Sequence, residues 1–228
     1  TLKTYVVEEA YEVVQAVEKG IPEEHCEELG DLIMQVVFQA RIAEEEGRFS
    51  IADVSTRQAE KLKSRHPHVF GAEKVQNSAE VLVRWEAQKL KEGRGVLSGL
   101  PASLPALMMA LRMSEKVGHV GFDWPDAKSV VAKLDEEIAE LKQAMDGDDP
   151  KRVEQELGDV LFTLANLARK SHINPEEALR KMLMRFKARF DHIESRLAEE
   201  GRSVAETPLP ALDVLWEEAK QLQAAKQG

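Results

Sequence analysis

The stretch VEQELGDVLF, residues 153–162, decides how this chain folds, because two carboxylates interrupt an otherwise apolar run. Glu156 and Asp159 lie three positions apart, so a helix places both on the same side, about one turn from each other. Apolar residues recur beside them at the three-and-four spacing of an amphipathic helix. That apolar stripe comprises Leu157, Leu161, Leu164 and Ala168.

Helical spacing also dominates elsewhere in the chain, as in the stripe Leu134, Ile138, Leu141 and Met145. Sustained alternation of apolar and polar residues, the mark of a half-buried strand, does not occur. The sequence therefore predicts an all-α protein. Helix starts are predicted at Ser50, at Ser103 and at Asn174, where Pro175 would take the first helical position.

The acidic pattern occurs twice in the chain. EELGD, residues 27–31, precedes the matching residues of VEQELGD by 128 positions (156 − 28), and EEAYE precedes EEIAE by the same interval (136 − 8). Internal repetition of this kind indicates a duplicated structural unit. At the constant offset of 128, Glu9 matches Glu137, Glu12 matches Glu140, Glu28 matches Glu156 and Asp31 matches Asp159. Downstream, Lys61 and Arg65 match Arg185 and Arg189 at an offset of 124, and Trp85 matches Trp216 at 131.

The duplication predicts two tandem units, residues 1–95 and 96–228, divided at the Gly- and Pro-rich stretch 93–105. The second unit has a further predicted helix before its acidic helix, starting near Leu104. Only eight residues precede Glu9. We therefore expect the first unit to lack its opening helix in this chain.

Two acidic helices joined by a short link would bring four carboxylates together if they pack as an antiparallel pair. Four neighbouring anions repel one another and are costly to bury without a positive partner. Oxygen ligands without His or Cys suit Mg²⁺, with Mn²⁺ as the alternative ion, and do not suit zinc. The predicted metal ligands are Glu137, Glu140, Glu156 and Asp159 in the second unit, and Glu9, Glu12, Glu28 and Asp31 in the first.

The ordered set of motifs resembles the MazG family of nucleoside triphosphate pyrophosphohydrolases. The resemblance rests on EE-x-x-E, then E-x-x-D on the next helix, then K/R-x-x-x-R and a Trp, and on the segments EEGRF, RHPHVFG, SLPALM and VGFDW. It covers the whole chain as a tandem two-domain member. The resemblance implies helical bundle units that are each completed by dimerisation. It also implies Mg²⁺-dependent hydrolysis of a nucleoside triphosphate to the monophosphate and pyrophosphate, in nucleotide housekeeping or pool control.

That chemistry suggests a role for each candidate residue. Glu136, next to the ligand Glu137, is the candidate to accept a proton from the attacking water. Basic side chains would hold the triphosphate, since Arg binds phosphate oxygens through two N–H groups at once. The substrate-binding candidates are Lys133, Arg185, Arg189, Trp216 and Arg112 in the second unit, and Lys61, Arg65 and Trp85 in the first. Because Tyr5 stands where the second unit has Lys133, we expect the second unit to be the active one.

Composition excludes several other classes of function. The net charge of −10 argues against a nucleic-acid polymer as partner, because such binding needs clustered Lys and Arg. No run of apolar residues is long enough to span a membrane, and a single cysteine, Cys26, fits a reducing compartment. We expect a cytoplasmic protein and a homodimer.

Two other readings of the acidic helices stay open at this point. A non-catalytic helical interaction module would use metal only for stability. A narrow-range hydrolase acting on dUTP or damaged nucleotides would share the acidic pattern. A di-iron or di-manganese bundle is disfavoured because it needs Glu-x-x-His on two helices, and neither acidic helix pair contains that motif.

Overall fold

The computed structural model describes residues 2–65, 67–70 and 95–225. Over these ranges the chain is helical and contains no strand, which confirms the all-α prediction. The first part contains α1 (Leu2–Lys19), α2 (Pro22–Glu45), α3 (Ile51–Arg65) and the short α4 (Pro67–Phe70). The second part contains α5 (Ala106–His119), α6 (Ala127–Met145), α7 (Pro150–Lys170), α8 (Pro175–Glu199), a 3₁₀ turn (Val204–Glu206) and α9 (Leu209–Ala225).

The chain separates into two compact units, Thr1–Trp85 and Glu86–Gly228. The assignment of residues 1–95 and 96–228 to two MazG-like units stays a prediction. Among the described helices, none is long and apolar enough to cross a membrane.

In the first unit, α1 and α2 form a helical hairpin. Gly20 ends α1 with a φ of +68°, a left-handed conformation that glycine adopts without a steric penalty, and Pro22 then opens α2. Few side chains are buried within this unit. The buried apolar residues of the hairpin are small, namely Ala16, Ala40 and Ala43. The hairpin therefore packs closely but encloses little apolar surface of its own.

The second unit repeats this hairpin in α6 and α7 and surrounds it with further helices. Asp149 caps α7 by accepting hydrogen bonds from the backbone N–H groups of Lys151 and Arg152, at 3.0 and 3.4 Å, and Pro150 opens the helix. Helix α5 packs on α7, and α8 packs on α9. A small core between α8 and α9 contains Ile193, Leu197 and Leu215, with Phe190, Val204, Leu212 and Trp216 packed against it.

Two of the three predicted helix starts are confirmed. The Ser50 backbone N–H donates to Asp53 Oδ2 at 2.8 Å before α3, and Asn174 Oδ1 accepts from two backbone N–H groups of α8. The predicted start at Ser103 is wrong, because a helix capped there would begin at Leu104, and α5 begins two residues later at Ala106. The reason is Pro105, whose ring disfavours helical geometry in the residue before it.

Asp123 fastens the connection between α5 and α6 to the end of α7. Its carboxylate accepts hydrogen bonds from Arg169 and from Lys170, the latter at 2.7 Å. These hydrogen bonds, Arg169 first, outweigh the effect of burial and lower the pKa of Asp123 from 3.8 to about 2. Gly118 lies so close that an added Cβ would stand 3.3 Å from the Asp123 carboxylate. The segment VGFDW thus positions α6 by an ionic contact with α7.

Large apolar side chains remain exposed along α7 and α8, although the sequence predicts a packed stripe on α7. Leu161 retains 47% of its accessible surface, and Leu157 and Leu164 of the same stripe are likewise exposed, whereas Ala168 is half-buried. The exposed set on these two helices is Leu157, Leu161, Phe162, Leu164, Leu179, Met182, Leu183, Met184 and Phe186. In the first unit the α2 side chains Ile33, Met34, Val36, Val37 and Phe38 are exposed in the same way.

Candidate metal and nucleotide site

The second unit brings three of its four predicted metal ligands together. Glu137 on α6 and Glu156 and Asp159 on α7 each offer one carboxylate oxygen, and these atoms lie within 4.8 Å of one another. Opposite ligands of an octahedral Mg²⁺ ion are about 4.2 Å apart, given bonds of about 2.1 Å. The upper limit of 4.8 Å on their separations is close to this distance, so one ion could contact all three oxygens. We call this set the second acidic cluster.

Burial differs among the members of this cluster. The side chain of Glu137 is only 8% exposed, whereas Glu156 is half-buried and Asp159 is exposed. Glu137 lies on α6, and the close packing of α6 on α7 buries it. The cluster is consequently a carboxylate set with one buried and one open side.

Two predicted residues of α6 lie outside this three-oxygen set. Glu140, one turn after Glu137, is half-buried, and Glu136 is exposed. Glu136 is adjacent to the cluster through its neighbour Glu137 and through Lys133, which contacts both. The predicted convergence of four carboxylates is thus realised with three, and the role of Glu140 stays a prediction.

Lys133 is bound to the acidic residues in this structure. Its Nζ lies 2.8 Å from Glu136 Oε1 and 2.9 Å from Glu137 Oε1. These two hydrogen bonds, Glu136 first, raise the pKa of Lys133 above its ordinary value. The ammonium therefore neutralises a buried carboxylate that would otherwise be costly to keep ionised.

A second cation beside the cluster was missed by the sequence analysis. Arg152 Nε lies 3.7 Å from Glu156 Oε1, one turn earlier on α7. The spacing of four residues along a helix was the available signal, since it places side chains on the same face. In the first unit the matching position is Glu24 (152 − 128), which pairs with Lys19 at 2.6 Å.

The first unit holds an equivalent cluster of Glu9, Glu28 and Asp31, all half-buried and within the same 4.8 Å. The buried amide of Gln35 donates a hydrogen bond to Glu9 Oε1 at 3.3 Å. Glu12 lies outside the three-oxygen set but close to it. Partial desolvation, followed by the charges of Glu28 and Glu9, raises the pKa of Glu12. Glu12 is therefore repelled by the negative charge of the neighbouring first cluster.

The chemistry of both clusters fits a hard divalent cation. Every ligand is a carboxylate oxygen, and each set comes from two helices whose relative position is fixed by a short turn. Oxygen-only sets with several anionic groups suit Mg²⁺ and Mn²⁺, because such ions prefer hard ligands. The described part of the chain thus contains two carboxylate sets that could hold a metal ion.

The basic pair and the Trp lie on the outer helices of the second unit. Arg189 is stacked over the ring of Trp216, 5.4 Å from its centroid, and its Nε donates to Gln223 Oε1 at 2.8 Å. Phe186 packs against the same ring, with centroids 5.0 Å apart. Arg185 is exposed one turn before Arg189. Trp216 thus joins the α8 and α9 packing and orients a guanidinium at the same time.

The remaining substrate-binding candidates are exposed or lie outside the described part of the structure. Arg112 on α5 is exposed and forms an ion pair with Glu115 at 2.8 Å. Lys61 is exposed on α3. The side chain of Arg65 and the whole of Trp85 lie outside the described part of the structure.

Comparison with known proteins agrees with this arrangement. The model of the MazG nucleotide pyrophosphohydrolase domain matches residues 1–70 and 126–194, and these ranges contain both acidic clusters. The chain is 41% identical over 224 residues to a nucleoside triphosphate pyrophosphohydrolase/pyrophosphatase MazG of Thermotoga maritima, covering 96% of this chain and 85% of that protein.

Two further relatives have similar names. The nucleoside triphosphate pyrophosphohydrolase of Escherichia coli K12 is 39% identical over 230 residues, covering 97% of this chain and 87% of the relative. A nucleoside triphosphate pyrophosphohydrolase of Mycobacterium tuberculosis is 32% identical over 185 residues, covering 77% and 57%. The family match and these identities confirm the resemblance found in the motifs. The chain belongs to the MazG nucleotide pyrophosphohydrolase family.

Proposed function

We propose that this protein hydrolyses nucleoside triphosphates to nucleoside monophosphates and pyrophosphate, using Mg²⁺ held by the second acidic cluster. The observation that carries the proposal is the group of three carboxylate oxygens within 4.8 Å, with a lysine 2.9 Å from its buried member. The names of the relatives support the same reaction class.

In this proposal Glu137, Glu156 and Asp159 hold the ion, and Glu140 is the fourth carboxylate nearby. A bound Mg²⁺ would supply Lewis-acid stabilisation of phosphate oxygens and orientation of a water, and Mn²⁺ could replace it. The surrounding carboxylates keep the site anionic, so a nucleotide enters it together with a cation. This explains how a chain with a net charge of −10 could bind a polyphosphate.

Glu136 is proposed as the proton acceptor for the attacking water. In the structure an oxygen of its carboxylate accepts a hydrogen bond from Lys133 at 2.8 Å. That oxygen would be available to a water only after Lys133 has moved to another anion. The phosphates of the substrate are the obvious destination for that ammonium.

Arg185 and Arg189 are proposed to bind the phosphate chain, because a guanidinium donates two parallel hydrogen bonds to phosphate oxygens. Arg189 is already oriented by Trp216 and Gln223, which lowers the entropy lost on binding. Trp216 is then a positioning residue for Arg189 as well as a candidate contact for the nucleoside. Arg112 is also proposed to bind phosphate, but it would first have to leave Glu115, to which it is bound.

We propose the second unit as the catalytic one. It has Lys133 and Arg152 beside its cluster, whereas the first unit has Tyr5 and Glu24 at the matching positions. The first cluster, whose nearby cation Lys19 is paired with Glu24, could still bind a metal ion through Glu9, Glu28, Asp31 and the adjacent Glu12. It would hold the charges of a triphosphate less well.

A homodimer is proposed from the exposed apolar side chains of α7 and α8. Leu157, Leu161 and Leu164 are each more than 40% exposed along one stripe. Exposed apolar surface of this continuity marks an interaction surface in soluble proteins. A second copy could cover it with the same surface, as twofold symmetry requires. We further propose action on the free nucleotide pool of the cytoplasm.

The test is to incubate the protein with each common, deaminated and oxidised nucleoside triphosphate in the presence of Mg²⁺, and to measure pyrophosphate and orthophosphate separately. Pyrophosphate with the monophosphate is the expected result. Orthophosphate alone would contradict the reaction. Turnover of dUTP or a damaged nucleotide alone would point to the narrow-range hydrolase, and Mg²⁺-dependent melting without turnover to the interaction module.

A further inference from the structure

Lys133 lies beside the second acidic cluster, where a bound metal ion would compete with it for the carboxylate of Glu137. Its Nζ lies within 2.9 Å of oxygens of both Glu136 and Glu137. Glu137 is nearly buried and is also a member of the three-oxygen set. An ammonium and a divalent cation that both contact the carboxylate of Glu137 would repel each other at such short range, so each weakens the binding of the other.

The first unit provides an internal comparison without this lysine. Tyr5 stands 128 positions before Lys133, and Glu24 stands 128 positions before Arg152. The first cluster is partnered instead by the neutral amide of Gln35, which donates to Glu9. Both clusters thus hold three carboxylates from two helices, but an ammonium contacts Glu137 in the second and a neutral amide contacts Glu9 in the first.

We propose that Lys133 is a built-in counter-ion that keeps the second acidic cluster assembled without metal and is displaced from Glu137 when a divalent cation binds. The proposal deepens the proposed function and rests on it for one step, in which the displaced ammonium turns to the substrate phosphates. Transfer of the ammonium to the phosphates also releases Glu136. Metal and nucleotide together therefore free the proton acceptor and supply a phosphate-binding cation.

Two consequences follow for metal binding in the absence of nucleotide. The second cluster binds a divalent cation more weakly than its geometry alone would allow, because the ion must first displace a bound ammonium. Nucleotide then strengthens metal binding by giving that ammonium a new anionic partner, and by linkage the metal strengthens nucleotide binding by the same factor. The first cluster lacks this coupling because it lacks the lysine.

The experiment uses the full chain with the first cluster disabled by Glu9→Gln and Glu28→Gln. Binding of Mn²⁺ without nucleotide is measured from the electron paramagnetic resonance signal of the free ion. Lys133→Met should lower the Kd for Mn²⁺ by about tenfold, given the loss of a competing charge near 3 Å. Lys128→Met removes an exposed lysine from the same helix and should leave the Kd within about twofold.

Further variants distinguish displacement of the Lys133 ammonium by metal from a purely structural role of the lysine. Lys133→Gln should behave like Lys133→Met, and Lys133→Arg, which keeps the positive charge, should retain the weak binding of the parent. A merely structural lysine would give weaker Mn²⁺ binding when removed, together with a lower melting temperature. An unchanged or higher Kd for both neutral variants overturns the inference, and so does a complete lack of Mn²⁺ binding in all of them.

A second measurement addresses the coupling step. A non-hydrolysable nucleoside triphosphate analogue should tighten Mn²⁺ binding in the parent chain more than in Lys133→Met. Equal tightening in both would overturn the transfer of Lys133 to phosphate. Pyrophosphate release is assayed separately. If no pyrophosphate is released, the Mn²⁺ measurement still tests the role of Lys133. If the Kd values for Mn²⁺ contradict that role, the proposed hydrolysis is unaffected.

Discussion

Replacing Asp123 by Asn tests whether the connection before α6 is held by charge. The change keeps the shape of the side chain but removes the anion that accepts from Arg169 and Lys170. Both cations are largely covered, at 15% and 17% exposure. The variant would therefore leave two poorly solvated positive charges side by side, with an amide that can satisfy them only in part.

The lowered pKa of Asp123 sets the size of the expected loss of folding stability. A fall from 3.8 to about 2 corresponds to about 2 kcal/mol of stability from this carboxylate, and its 24% exposure to solvent favours an effect nearer 1 than 2 kcal/mol. The folded-state pKa is depressed, so the contribution is present above about pH 4. It is lost progressively as the pH falls from about 4 toward 2.

The assay is urea unfolding of the parent and of Asp123→Asn, followed by tryptophan fluorescence at a series of pH values. At pH 7 the variant should be less stable by about 1 to 2 kcal/mol, and the difference should shrink steadily below about pH 4. Asp135→Asn, an exposed carboxylate on α6, is the matched control and should change stability by less than about 0.5 kcal/mol. Equal stability of parent and variant at pH 7, or a deficit that persists undiminished at pH 2, would refute the ionic account.

Four further predictions concern the site and the interface. Glu137→Gln should reduce pyrophosphate release by about 100-fold or more, whereas Glu9→Gln should change it by less than about twofold; equal losses would place catalysis in both units. Arg189→Lys keeps the charge but loses the paired N–H groups, so KM should rise by about tenfold in steady-state assays, and an unchanged KM would exclude phosphate binding by this residue. Tyr5→Lys, in a chain whose second cluster is disabled, should weaken Mn²⁺ binding to the first, and equal affinity would contradict the importance of a neighbouring ammonium. Leu161→Glu should shift the protein toward the monomer in analytical ultracentrifugation, and an unaltered dimer would mean that the interface lies elsewhere.

The fold class and the pairing of the acidic helices could be predicted because both are periodic properties. Helical spacing identified α6 and α7, and the repeated offset showed that Glu137 and Glu156 belong to one arrangement. Three of the four predicted carboxylates are indeed close together. Glu140 is outside the three-oxygen set, although its spacing from Glu137 puts both on one side of α6, because a sequence pattern does not give the separation of two helices at each level.

Ion pairs across the site could not be predicted so well. The pairing of Lys133 with both Glu136 and Glu137 depends on which rotamer a long, flexible side chain adopts, and spacing alone allowed it to reach phosphate instead. Arg152 was overlooked because a single i, i+4 pair is common on solvated helices and contributes little there. The start of α5 was misplaced because Pro105 lies within the predicted first turn and outweighs the capping tendency of Ser103.

The hairpin formed by α6 and α7, and by α1 and α2 in the first unit, also limits how such a chain can change in length. Within it the two copies keep one offset, 128, while the basic pair and the Trp beyond it have drifted to 124 and 131. One residue inserted into either helix would turn every following side chain by about 100°, which would move one carboxylate pair away from the other. Insertions and deletions are therefore tolerated outside the hairpin and selected against inside it. The geometry of the hairpin has preserved the spacing of the acidic residues, while insertions and deletions have changed the spacing in the rest of the duplicated sequence.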